Sequence, residues 1–282
     1  MALVDLYNNT KGISWNNNNN WLSGKVSEWF GVTVTNNRVT ELSLVNNQVD
    51  GTLPTSLGNL TAINAIYLSG NKIKGTIPNS VGNLSALAFF YLDNNELEGT
   101  IPDELGNVIS LQHLHLEHNK LTGVIPVSLR KLAIVVELIL AYNQLTGSIP
   151  GELGDLQVHR LELNNNQLGG SIPARLRIIR NLKILRLNNN QLTGEIPPGI
   201  IPRICYLVDL SSNLLTGEIP SDLSNNNTIV HVDFGNNSLT GQVPPLNNMT
   251  GLQSLDLSNN QLSGDIPSSL NQLRRLVRLN LM

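Results

Sequence analysis

Apolar and polar positions alternate in short bursts that recur along nearly the whole chain. The stretch LQHLHLEHNKLTGVIPVSLRKL, residues 111–132, shows one unit: alternating leucines, then Asn119, Gly123 and Pro126. Prolines in this setting fall at 54, 78, 102, 126, 150, 173, 197, 220, 244 and 267, and an asparagine stands seven residues before each. The period is 24 residues with three 23-residue exceptions; ten units are complete and an eleventh stops within LVRLNLM. Alternation over a few residues predicts a short strand with its leucines inward. The Asn then turns inward, where its amide satisfies backbone groups of neighbouring turns. Gly permits the following bend and Pro fixes the return path. The LGNL segment is too short for an ordinary helix and predicts a 3₁₀ turn. One unit cannot bury its own leucines, but stacked units can. The expected fold is an α/β repeat: a curved, right-handed solenoid with a parallel sheet on its concave face and 3₁₀ turns on the convex side. Residues 1–38 would form an N-terminal cap, and residues 39–282 one continuous solenoid of about ten and a half repeats.

With each strand written as nine positions ending at the Asn, the third, fifth, seventh and eighth project from the inner sheet. The fifth column begins Ser43, Tyr67, Tyr91, His115, Ile139, and the third begins Glu41, Ala65, Phe89, His113, Glu137. This schedule gathers a candidate ligand-binding patch of Tyr67, Phe89, Tyr91, His113, His115, His118, Ile139 and Tyr142, edged by Asp93, Glu117 and Glu137. Exposed rings clustered on a sheet mark a binding surface; the rival reading is that tall side chains merely cover the strands. His159 and His231 are expected on the same face, as are Arg160, Lys183 and Arg186 with Glu162, and a column of Asp209, Asp233 and Asp256. His113 and His115 would lie about 6.6 Å apart, so one ion could bridge them, with Asp93 or Glu117 as third ligand. A nearly flat sheet offers neither convergence nor an orienting shell, so no metal or cofactor is expected.

Charged residues make up only 14% of the chain and the net charge is −3, which gives no basis for nucleic-acid binding. Cys205 is the single cysteine, so no intrachain disulfide forms, and its place in a leucine column suits a small core residue. No run approaches the 18 apolar residues of a membrane span. The start MALVDLYNN lacks a signal-peptide profile, which fits either a cytoplasmic protein or a mature segment with an added Met. Serines are plentiful, but none stands in a nucleophile elbow or near an ordered His–carboxylate pair, and no phosphate loop is present, so no enzyme is expected. Sequons at Asn8, Asn59, Asn83, Asn226 and Asn248 are candidate glycosylation sites; Asn236 would place a glycan on the inner face.

The motif LxxLxLxxNxLxGxIPxxLGxL resembles the plant-type leucine-rich repeat over roughly residues 39–282. The preceding ALVDLYNNTKGISWNNNNNWLSGKVSEWFGVTV is similar to the N-terminal cap of such proteins, without the cysteines common there; Trp15, Trp21 and Trp29 would cover the first repeat's open end. A solenoid needs a polar closing segment, and none follows the last repeat, so a fragment of a longer product is expected. The resemblance implies a non-enzymatic recognition module, the extracellular part of a receptor-like protein or a secreted binding protein. Its partner would be a protein, peptide or glycan bound on the concave face. A structural or adhesive scaffold and an inhibitor of a polysaccharide-degrading hydrolase remain open alternatives. An ice-binding role would want a regular Thr ladder, and the column after Gly supplies one only through Thr52, Thr76 and Thr100 before Val124 interrupts it.

Overall fold

A computed structural model describes residues 2–281; Met1 and Met282, at the outer limits of the two expected segments, lie outside the described residues. The chain forms two compact units, Met1–Leu145 and Thr146–Met282.

The first unit opens with the helix Ala2–Asn9, which buries Ala2, Leu3 and Leu6. Trp15, Trp21 and Trp29 are buried against one another, with ring centroids 4.8 and 4.9 Å apart. Their indole N–H groups donate to the carbonyls of Thr10, Phe30 and Ser23 at 2.8–2.9 Å, so burial leaves no indole donor unpaired. Strand Val32–Thr35 then pairs antiparallel with Arg38–Ser43. From there a parallel ladder runs through Ala65–Tyr67, Phe89–Tyr91 and His113–His115 to Glu137–Ile139. The central residues Leu42, Ile66, Phe90, Leu114 and Leu138 are fully buried, which places the expected apolar set inside.

The asparagines close the strands as the sequence predicts. Asn95 donates from Nδ2 to the carbonyls of Leu68 and Leu92 at 2.9 and 3.0 Å, and its Oδ1 accepts the Ile73 N–H at 3.0 Å. Asn71 and Asn119 repeat this arrangement, and the backbone of Asn17 meets the amide of Asn47 at 2.7 and 2.8 Å, so the cap supplies the first rung. After each proline a 3₁₀ turn follows, at Thr55–Asn59, Asn79–Asn83, Asp103–Asn107 and Val127–Lys131. Gly99, at φ +73, sits where an added Cβ would come within 2.8 Å of the Thr76 methyl, so Gly is required by both conformation and space. A second short parallel ladder, Asp50–Thr52, Lys72–Gly75, Glu96–Thr100 and Lys120–Thr122, was not anticipated from the hydrophobic pattern.

The second unit repeats the plan. Its parallel ladder joins Arg160–Glu162, Ile184–Arg186, Leu207–Asp209, His231–Asp233, Ser254–Asp256 and Arg278–Asn280. Cys205 is fully buried and burial pushes its thiol up to about 12, which fits an inert core residue.

Candidate recognition site

Strand register fixes which side chains stand side by side. Tyr67, Tyr91, His115 and Ile139 are successive partners in the first unit, as are Ala65, Phe89, His113 and Glu137. The rings use this adjacency. Tyr91 stacks on His115 with centroids 4.1 Å apart and planes 2° from parallel, and Phe89 stacks on His113 at 5.1 Å. Tyr67 meets Tyr91 edge-on at 5.2 Å. Such geometry favours each pair beyond the area it buries.

His118 and Tyr142 form a further stacked pair at 4.1 Å, and their backbones are unusual. Each holds a left-handed conformation, φ 55 and 54, at the position just before the ladder asparagine. The corresponding residues elsewhere in this unit are Asn46, Gly70 and Asn94, types that tolerate positive φ. Two large rings at such positions carry a conformational cost that the fold itself does not require. Tyr142 is 47% exposed, so burial does not repay that cost in full.

At the centre, one carboxylate oxygen ties two rings together. Glu137 Oε2 accepts from His113 Nδ1 at 3.0 Å and from His115 Nε2 at 2.9 Å. Each imidazole thereby carries a proton on its bonding nitrogen. Burial pushes the His115 imidazole below its ordinary value, against the pull of Glu137. Burial also opposes ionisation of Glu137, but the two imidazole donors hold its carboxyl below the usual range. Burial, with the Glu137 charge next, pushes the Tyr91 hydroxyl up to about 12. Asp93 is already engaged by Ser69 Oγ at 2.5 Å and Asn94 Nδ2 at 2.8 Å.

Two expectations need correction. Ile139 is only 2% exposed, so it supports the patch from below and offers a ligand no surface; a short aliphatic chain sits lower than the rings beside it. Asn226 is 1% exposed and its Nδ2 donates to the carbonyls of Pro202 and Cys205, so its amide is not available to a glycan. Asn8, Asn59, Asn83, Asn236 and Asn248 are exposed. The columns of the sequence put Glu137 at the edge of the patch, yet it is the residue on which both histidines converge. His159 and His231 belong to the second unit.

In the second unit the charged columns are satisfied internally. Glu162 is buried between Arg160 and Arg186, with contacts of 2.5 and 3.2 Å. Asp209 accepts from Ser211 and Asp233 from the Gly235 N–H. Asp256 accepts from Ser258 and from Arg278. A wide groove lined by Glu195, Pro198, Glu218, Asp222 and Pro244 contains no ring. No helix among the described residues is long and apolar enough to cross a membrane.

Comparison with known proteins follows the same lines. A family profile described as Leucine rich repeat matches residues 37–97 and 109–168, and a second of that description matches 181–201, 206–226 and 251–273. No match was found among curated proteins. Among solved structures, a TDR receptor shares 28% identity at a TM-score of 0.82, over 86% of this chain and 42% of that one. The plant peptide hormone receptor RGFR1, solved in complex with RGF2, shares 33% identity at a TM-score of 0.70, over 85% of this chain and 43% of that one. A plant ice-binding protein shares 25% identity at a TM-score of 0.84, over 98% of this chain and 92% of that one. This chain thus spans less than half the length of either receptor. Its repeats, its asparagine ladder and these matches agree: the chain belongs to the leucine-rich-repeat family, in its plant type.

Proposed function

We propose that this chain is the ligand-recognising part of a secreted or cell-surface protein, non-catalytic, and that the sheet of its first unit binds a basic, extended peptide segment. The observation that carries this reading is the His118–Tyr142 pair, two stacked rings held in left-handed backbone where other repeats use the small residues Asn, Gly or Ser. Strain kept at exposed rings is a signature of a functional surface. The charge of the surroundings favours the peptide's sign: Glu41, Asp93, Glu117 and Glu137 accompany the rings, and no Lys or Arg occupies the third or fifth column of this unit. Arg and Lys side chains would lie over the Tyr and Phe faces with carboxylates at hand. The likeness to a receptor solved with a peptide hormone supports a peptide over a glycan.

The test is a panel of Arg/Lys-rich, neutral and acidic peptides titrated against the parent chain and a Tyr67→Ala/Tyr142→Asn variant. Basic peptides should bind the parent, and the variant should bind at least about tenfold more weakly, a loss of about 1.4 kcal/mol. Equal affinity in a folded variant would move the site elsewhere.

A second reading has one observation in its favour, the match to an ice-binding protein along nearly the whole of both chains. Thr52, Thr76 and Thr100 are exposed in succession, but the Val124 that follows breaks the series, and the ion pairs Lys74–Asp50 and Lys120–Glu96 run beside it. Thermal hysteresis in a freezing assay, lost on Thr76→Glu, would establish that reading; its absence removes it.

A further inference from the structure

We propose that His113, His115 and Glu137 form a binding site for a divalent transition-metal ion of zinc-like ligand preference. The flat sheet expected from the sequence gave no reason for three ligands to meet. The structure supplies one. His113 and His115 project from the same strand, and Glu137 is the ladder partner of His113 on the next. Its carboxylate reaches across both rings, and one ligand atom from each of the three residues falls within 4.8 Å of the others.

The spacing suits an ion. Ligands about 2.0–2.1 Å from a tetrahedral zinc lie about 3.3–3.4 Å from one another. Glu137 Oε2 stands 3.0 and 2.9 Å from the two imidazole nitrogens, so it need retreat by only a few tenths of an ångström. The rings are held for the purpose, one against Phe89 and the other against Tyr91. Two imidazoles and one carboxylate make a ligand set suited to zinc, with a fourth position left for water or a donor from a bound partner. The side chains keep 14–26% exposure, which gives an ion a way in.

An orienting group is also in place. Without an ion, the His115 proton sits on Nε2, facing Glu137. When Nε2 coordinates a metal, that proton moves to Nδ1, which lies 3.9 Å from Glu117 Oε1. A small rotation closes this gap to a carboxylate–histidine–metal relay, the usual means of fixing a ligating imidazole. A second cluster, Asp93, His115 and Glu117, shares the same imidazole. Asp93 is already bound by Ser69 and Asn94, so the first cluster is the better ligand set. The inference does not depend on a peptide ligand, because its readout uses the metal alone.

The experiment titrates Zn²⁺ by calorimetry into the tag-free chain after chelator treatment and dialysis, with Co²⁺ absorption as a report on coordination geometry. One ion per chain should bind, with the visible bands of a nitrogen–oxygen site. His115→Ala and Glu137→Gln should each weaken binding at least about tenfold, while His231→Ala should not. Glu137→Gln preserves shape, so it stands as the deciding variant if His115→Ala loses its fold. Absence of saturable binding, or binding that neither variant changes, overturns the proposal.

Discussion

At the scale of single residues, the site is a set of side chains placed by register and then bent to one another. The columns were legible because a one-residue slip would turn every leucine outward, so the apolar pattern fixes which residues share the face. What each side chain does there was not legible. Glu137 and Ile139 sit two residues apart on one strand, yet one bridges two histidines and the other is buried. That difference comes from side-chain length and rotamer, which no periodicity encodes. Two outcomes follow at this scale. Replacing Tyr142 by Asn relieves a left-handed tyrosine, a gain of about 1–2 kcal/mol, and removes a stack worth about 0.5–1.5 kcal/mol. Urea unfolding should therefore show a change of less than about 1 kcal/mol, while peptide binding falls; a large loss of stability would make Tyr142 a structural residue. Tyr91 should ionise near 12. Since its folded value lies above the ordinary 10.0, its contribution to stability is present below pH 10 and is lost as pH rises toward 12. Absorbance titration of Tyr91→Phe against the parent checks this, and disappearance of a component near 10 instead would contradict it.

At the scale of the repeat element, the asparagine ladder does the work that hydrogen-bonded helices do elsewhere. Each amide ties its own strand end to backbone groups one repeat away, as Asn95 does with Leu68 and Ile73. Asn95→Ala would leave buried backbone groups unsatisfied and should cost about 1–3 kcal/mol, read from the denaturation midpoint; a cost below about 0.5 kcal/mol would mean the ladder is redundant. The second short ladder was invisible to a search for alternating leucines because its strands carry Gly, Thr, Lys and Glu. Its registry comes from backbone pairing, and its exposed ion pairs add little. Asn226 teaches a related lesson. A sequon reports a local motif, whereas here the amide closes a loop by binding two carbonyls.

At the scale of the whole molecule, two units share one plan and differ in what their sheets present. The first gathers rings with carboxylates around them. The second pairs Glu162 with two arginines and caps its aspartates with neighbouring donors. Repeat architecture was readable because the period recurs ten times; the ligand was not, since a stack of repeats sets a surface without naming its partner. The most direct test of the account is site-specific photocrosslinking of a basic peptide library. A photoreactive phenylalanine analogue at Tyr142 should capture peptides, and the same group at exposed Asn83, on a 3₁₀ turn, should not. Capture at Asn83 alone, or equally at both positions, would contradict the assignment of recognition to the ring-bearing sheet.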